Sequence, residues 1–270
     1  WAVSLRTAGH GGFLVKLRTK AFGLVTPAGV PVRSAPRVVI GYPAGGSVTL
    51  AFHASMLRLL SHELLKGDDR LLAKINHTQG LYVGDNRNLN AEQFMAGDAD
   101  WLLQIDTDID FPPTLLETLI DLAGPDRTVL AASVPLGTTY PTCAFMRTEY
   151  PGVWASLPSI EGVVECDGVA TAVVLIHRSA FEAIEARFGA TWFHHMYIPL
   201  EGSRYRSQGE DLAFSMKAGE CGVRMYCANV PGLRHHKAIA LSHDERAVTR
   251  EMSAGQWSRI PPAINGPCVP

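Results

Sequence analysis

From Arg37 to Cys227, short apolar runs alternate with longer stretches of helical periodicity, and few architectures accommodate that alternation. Runs such as Val38-Val39-Ile40, Trp101-Leu102-Leu103-Gln104-Ile105 and Val129–Val134 are apolar at successive positions, as strands covered on both faces must be. Between them the apolar residues recur at helical spacing. Segments 48–65 (capped by Ser47 and stopped at Gly67), 90–96, 113–122, 178–188 and 209–221 are expected helices. Segments 71–76 and 80–83 are expected strands, as are 163–167, 170–176 and 223–227. Such alternation predicts an α/β fold with a mainly parallel central sheet flanked by helices on both faces. The first 36 residues stand apart as an extension with two possible short strands. Residues 37–240 form the expected domain, and 241–270 a polar, proline-containing tail.

Composition narrows the class further. With 47% hydrophobic residues in 270, the chain can bury a sizeable core and is not intrinsically disordered. The 24 Lys and Arg against 26 Asp and Glu leave a net charge of -2, so no global field favours nucleic acid or an anionic membrane. Five cysteines, none in a C-x-x-C pair, argue against structural zinc and for free thiols in a reducing compartment. No apolar run approaches the roughly 20 residues of a membrane span. No h-region follows the basic residues near the N-terminus, so no secretory signal is expected. The expected location is the cytoplasm of a cell or of an infected host.

Chemistry concentrates in three places. Asp106, Asp108 and Asp110 follow an apolar strand directly. Three carboxylates within five residues repel one another, and a hard divalent cation is the simplest compensation. Ligands of open α/β sheets bind beyond the carboxyl ends of the strands, where this cluster falls. The plain alternative is a solvated acidic turn before a helix. Second, Gly209-Glu210-Asp211 opens a helix, where carboxylates also act simply as caps. Third, His235-His236-Lys237 follows a strand and turn, and imidazole can complete a carboxylate metal site.

The order of these motifs resembles the GT-A fold nucleotide-sugar glycosyltransferases, family-2-like members in particular. The elements that carry the likeness span about residues 37–240. They are Tyr42-Pro43 after the first strand, Asn86-Arg87-Asn88, Ala99-Asp100 leading into Asp106-Thr107-Asp108, the Cys166–Thr171 turn, Gly209-Glu210-Asp211 and the late histidine. The resemblance implies a Rossmann-like nucleotide-binding half joined to an acceptor half. It also implies metal-dependent transfer of a sugar from a nucleoside-diphosphate sugar, of UDP or GDP type, to an acceptor hydroxyl with inversion.

Residue roles follow from the same resemblance. Asp106 and Asp108, with His235 or else His236, would hold Mn²⁺ or Mg²⁺. Gly41, Tyr42, Pro43 and Ala44 would line the base and ribose pocket, with Asp106, Thr107 and Gly168 against the donor. Arg87 would touch the nucleotide or a phosphate, or else form a surface salt bridge. Asp211 would be the general base, and Glu210 would bind or orient the acceptor. The aromatic stretch Trp192, Phe193, His194, His195 and Tyr197 would belong to the acceptor loop or to the core. Arg204 and Arg206 would close over a diphosphate. The acceptor, whether glycan, protein, lipid-linked sugar or nucleobase, is not fixed by these motifs. Two other functions are compatible with the scaffold: nucleotidyl transfer and non-catalytic sugar binding. The loop after the first strand lacks the basic residue that nucleotidyl transfer calls for, and a binding module would have no need of the acidic cluster or the Glu-Asp pair.

Overall fold

The computed structural model describes residues 36–67, 71–80, 82–135 and 142–236. The two short strands expected before residue 36, and the tail after 240, lie outside the described residues. The chain divides into two compact units after His235, and the sheets and helices below belong to the first.

In chain order the elements begin with β1 (Val38–Ala44), α1 (Leu50–Leu65), β2 (Leu72–Gln79), α2 (Val83–Met95), β3 (Trp101–Ile105), β4 (Ile109–Asp110), α3 (Leu115–Ala123) and β5 (Val129–Ala132). Then follow β6 (Ala144–Arg147), β7 (Trp154–Ser156), β8 (Val163–Cys166), β9 (Gly168–Val169), β10 (Val173–His177) and α4 (Arg178–Phe188). The last are β11 (Met196–Leu200), β12 (Arg204–Gln208), α5 (Glu210–Glu220), β13 (Met225–Ala228) and β14 (Arg234–His235). Seven strands form the main sheet in the order β2-β1-β3-β10-β5-β13-β8. The chain is thus α/β with a large mixed sheet. Five of its strands, β2, β1, β3, β5 and β13, share one direction, while β10 and β8 run against it. Among the described residues no helix lies between β5 and β10, and the two strands pair antiparallel, without the helical crossover that parallel neighbours require.

The apolar runs have the two-sided burial that their composition predicts. Val39, Leu102, Val174 and Ala131 face one core with Phe94 of α2, Phe181 of α4 and Phe214 of α5. The alternate residues Ile40, Leu103, Leu175 and Leu130 face a second core with Phe52, Met56 and Leu59 of α1 and Leu116 and Leu119 of α3. At roughly 25 cal/mol per Å² of apolar surface removed from water, these two layers are the main source of stability.

Local boundaries differ from the sequence reading most clearly in four places. The α1 cap is Thr49, not Ser47: its Oγ1 accepts the Phe52 N–H at 3.1 Å. Strand β1 does not end at Tyr42 but continues to Ala44. Pro43 is tolerated because β1 beyond Gly41 pairs with β2 alone. The two short strands expected at 71–83 are one strand followed by the start of α2. Helix α2 begins at Val83, seven residues before the expected Asn90. Its inward face is polar, with Asn86, Arg87, Asn88 and Asn90 buried, so apolar periodicity could not reveal it.

Candidate active site

The site is built on the loop that leaves β3. Asp106 N donates to Ala172 O at 2.8 Å, which fixes the start of the loop beside β10. Thr49 holds the next residue, since its N–H and its hydroxyl both donate to Thr107 O at 3.0 and 3.1 Å. The chain then forms β4, which pairs antiparallel with β14. That pairing brings His235 to the aspartate loop across 127 residues, with Nε2 at 3.1 Å from Asp108 Oδ2. Of the two candidate histidines, His235 contacts Asp108, and His236 is exposed and starts the second unit.

His235 Nδ1 lies 2.7 Å from Pro135 O. A carbonyl oxygen only accepts, so Nδ1 carries the proton. A neutral ring then presents a lone pair at Nε2 to a carboxylate oxygen, and two acceptors at that distance need a proton or a cation between them. Metal-binding histidines have this same outer arrangement, with the second ring nitrogen donating to a backbone carbonyl.

The three aspartates have separate fates, and the premise that they need one shared cation is corrected. Asp110 is buried and has protein partners. It accepts from Ser55 Oγ at 2.6 Å and from Arg58 Nη2 at 3.1 Å, and pairs with Arg234. Burial pushes its carboxyl up, but the Ser55 hydroxyl and the Arg234 and Arg58 charges hold it below the usual range. Asp106 accepts from Arg87 Nη2 at 2.6 Å. Burial raises the Asp106 pKa, with Asp108 and Glu210 adding to the rise and Arg87 opposing it.

Arg87 is only 3% exposed, which corrects its reading as a surface salt bridge: the ion pair it forms with Asp106 is buried on the arginine side. Its Nη1 donates to Thr171 O at 3.1 Å, Nη2 binds Asp106, and Nε lies 3.6 Å from Glu210 Oε1. One buried guanidinium therefore ties the aspartate loop to the start of α5, and Gln104 Nε2 anchors its backbone carbonyl at 3.1 Å.

Glu210 and Asp211 sit in the first turn of α5. Their approach to α2 requires Gly84, where a Cβ would come within 2.5 Å of Phe193 O and 3.2 Å of Glu210 Cβ. His195 Nε2 is 4.0 Å from Glu210 Oε2. Asp211 is less acidic than an ordinary aspartate. Burial, with the neighbouring Glu210 charge, pushes its carboxyl up to about 6. Desolvation disfavours the ionised form by more than the dipole and the Leu212 N–H, at 2.7 Å, favour it.

The expected donor pocket is only partly open. Gly41 is buried beneath Asn90, whose side chain lies 3.0 Å from where a Cβ would be. Pro43 and Ala44 are buried too, whereas Tyr42 is half-buried against Phe52 and His77. Exposed backbone begins at Gly45. Gly168 is buried in β9, and the space a side chain would take is filled by Trp154 and Leu212. Its smallness serves packing rather than an open sugar contact.

The aromatic segment divides. Trp192 and Phe193 are core residues, whereas His194 contacts Asn88 at 3.0 Å and Tyr197 is exposed. Arg204 and Arg206 lie in β12, donating to Glu201 O and Pro151 O, rather than in a loop over a diphosphate. Thr49 and Gln104 had no site role in the sequence reading, whereas Asn88 and His195 lay within segments it singled out. Of the first two, only the Thr49 cap had a sequence signal, a threonine before an apolar helix.

A second group with metal-ligand chemistry comprises His62, Glu63 and Glu117, whose ligand atoms lie within 4.8 Å of one another. Its cation is already supplied by the chain. Lys66 Nζ bonds Glu63 at 2.5 Å and also pairs with Glu117, and Glu63 Oε2 accepts the Leu71 and Leu72 N–H groups. All four described cysteines are free, with Cys143 Sγ and Cys227 Sγ 3.8 Å apart in the core. Among the described residues no helix is long and apolar enough to cross a membrane.

No protein-family model matches this chain, and no curated protein matches it. Among solved structures it is similar to A197 from STIV, at 16% identity with a TM-score of 0.44, over 77% of this chain and 98% of that one. So slight a likeness says nothing about activity.

Proposed function

We propose that the protein is a metal-dependent glycosyltransferase of GT-A type, moving a sugar from a nucleoside-diphosphate sugar to an acceptor hydroxyl with inversion. The observation that carries this reading is the pair His235 Nε2 and Asp108 Oδ2, 3.1 Å apart, with Nδ1 committed to Pro135 O. An imidazole nitrogen and a carboxylate oxygen on a loop beyond a strand's carboxyl end suit Mn²⁺, with Asp106 beside them. When bound, the ion neutralises charge on the departing diphosphate.

The chain's own residues would do the rest. Arg87 holds Asp106 and Glu210 in fixed relation and balances part of their charge. Asp211 is the general base. As the acceptor oxygen bonds to the anomeric carbon, its proton passes to the Asp211 carboxylate, and the glycosyl–phosphate bond breaks with its electron pair leaving on the diphosphate. A base with a pKa of about 6 is largely ionised at neutral pH, yet more basic than an ordinary aspartate. The exposed residues after β1, Gly45 to Val48, bear no basic side chain, which disfavours nucleotidyl transfer from a triphosphate.

The test is a panel of UDP- and GDP-sugars with Mn²⁺, followed by release of nucleoside diphosphate and by thermal shift. At least one donor is expected to be hydrolysed slowly and to raise the melting temperature by mass action. The reading fails if no donor does either, or if a nucleoside triphosphate releases pyrophosphate instead.

A further inference from the structure

Strands β11 and β12 form a two-stranded hairpin whose base adjoins the proposed catalytic pair. Met196 pairs with Gln208 at that base. His195, one residue before β11, lies 4.0 Å from Glu210, and β12 leads through Gly209 into Glu210 and Asp211. The hairpin's two faces differ sharply. On one, Ile198, Arg206 and Gln208 pack around Gly152, Arg206 donates to Pro151 O, and Gln208 Oε1 accepts from Trp154 Nε1 at 2.7 Å. The other face carries Tyr197, Pro199, Tyr205 and Ser207 and is exposed along its whole length.

Two tyrosines dominate that open face, with 68% and 67% of their surface in water. Tyr197 is opposite Ser207 and Tyr205 opposite Pro199, so the two rings are diagonal neighbours on one face. That geometry sets the two residues roughly 7–8 Å apart by strand spacing. The hairpin is held in shape at its tip, where Gly202 and Ser203 both take left-handed backbone (φ 72° and 60°), as tight hairpin turns demand. The packed side fixes the base to the Pro151–Trp154 segment. The rings therefore stand on a ribbon whose other face is anchored to that segment.

We infer that this face is the acceptor platform and that the acceptor is a neutral oligosaccharide laid along the hairpin. The identification of the acceptor rests on the transferase reading above; the saccharide-binding surface itself does not. Three features select the occupant. None of the four residues is charged, which suits an uncharged ligand rather than a phosphate backbone or an acidic peptide. Each ring offers a flat, electron-rich face with a hydroxyl at its edge, complementary to the CH face and hydroxyl rim of a pyranose. Two tyrosines and a proline expose a few hundred Å² at most, well short of the roughly 800 Å² per partner of a stable protein interface. Because β12 continues into the catalytic pair, a chain lying on Tyr205 and then Tyr197 would be led toward Asp211.

The test uses cellotetraose, maltotetraose, mannotetraose and chitotetraose with the full chain. Binding is read by saturation-transfer NMR and by the shifts of the tyrosine ring signals, with no donor present. At least one tetrasaccharide is expected to bind and to perturb both rings, and its monosaccharide to bind at least about tenfold more weakly. Tyr197→Ala and Tyr205→Ala should each weaken tetrasaccharide binding about fivefold or more, since one stacked ring is lost each time. Donor hydrolysis should be unchanged, since neither residue is part of the proposed metal or base site. Failure of every tetrasaccharide to bind, or binding that survives the double variant Tyr197→Ala/Tyr205→Ala, overturns the inference whatever the donor assay shows. Platform binding together with no donor hydrolysis would leave the sugar surface standing and remove the transferase.

Discussion

Two clusters in this molecule have nearly the same composition, a histidine with carboxylates, and different surroundings. In His62, Glu63 and Glu117, the Lys66 ammonium sits among the carboxylates, and backbone N–H groups saturate Glu63. Its electrostatics close internally. At Asp106, Asp108 and His235, Arg87 pairs with Asp106, while Asp108 faces an imidazole nitrogen whose ring proton is directed to Pro135 O. Both aspartates there are 30% exposed. Ligand-type residues in proximity are therefore a poor guide by themselves: Lys66 sits between the carboxylates of the first cluster, whereas the second lies on the loop beyond β3 with an imidazole facing Asp108. The closed cluster should matter for stability and the open one for chemistry.

The sharpest break between the two should come from Asp211→Asn, beside the open cluster. Loss of the proton acceptor should lower transfer by ~10²–10⁴-fold while donor and Mn²⁺ binding persist. The same variant should melt higher at pH 7. The folded pKa of Asp211 is raised to about 6 from an ordinary 3.8, so the ionised group opposes folding above that range. Normal turnover in Asp211→Asn would end the base assignment.

Arg87→Met comes next. Removing a buried guanidinium leaves Asp106 and Glu210 uncompensated, and urea denaturation should show a loss of about 3–5 kcal/mol. A near-neutral result would mean that Arg87 is not the strut between the two halves of the site. In the closed cluster, Glu63→Gln should cost about 1–3 kcal/mol, because buried N–H donors and Lys66 lose a charged acceptor. Transfer per folded molecule should not change. A drop in transfer without a drop in stability would invert the comparison.

The smallest expected effect is on pH dependence. Transfer should fall as pH drops through about 6, when Asp211 takes up its proton. Stability should carry the opposite slope from this group. The folded state binds the proton more tightly, so its contribution is full below pH 3.8 and declines as pH rises to about 6. Both slopes should vanish from the residual signals of Asp211→Asn.

Much of the scaffold was legible because its strands are buried on both faces and therefore read as unbroken apolar runs. Trp101–Ile105 is the clearest instance, and its end correctly located the aspartate loop. The convergence of His235 on Asp108 was also anticipated, since the acidic loop called for a distant partner. The first half of helix α2 was not legible. Its inward residues Asn86, Arg87, Asn88 and Asn90 are polar, so only the end of the helix, around Ala91 and Phe94, carries an apolar signal. The direction of β10 was hidden for another reason: an antiparallel insertion leaves the same apolar run as a parallel one. The glycines misled in a third way. Gly41 and Gly168 were read as openings for a ligand, but Asn90 fills the space at one and Trp154 and Leu212 fill it at the other. Sequence shows that a residue is small; only the fold shows what occupies the space.

Mn²⁺ titration monitored by electron paramagnetic resonance tests the central claim most directly, with the wild-type chain, Asp108→Ala and Glu117→Gln compared in the presence of a nucleoside diphosphate. One ion per chain is predicted for the wild type and for Glu117→Gln, with binding lost or weakened at least about a hundredfold in Asp108→Ala, which removes one of the protein's few ligands. Unchanged binding in Asp108→Ala, or loss of binding in Glu117→Gln alone, would contradict the assignment of the open cluster as the metal centre.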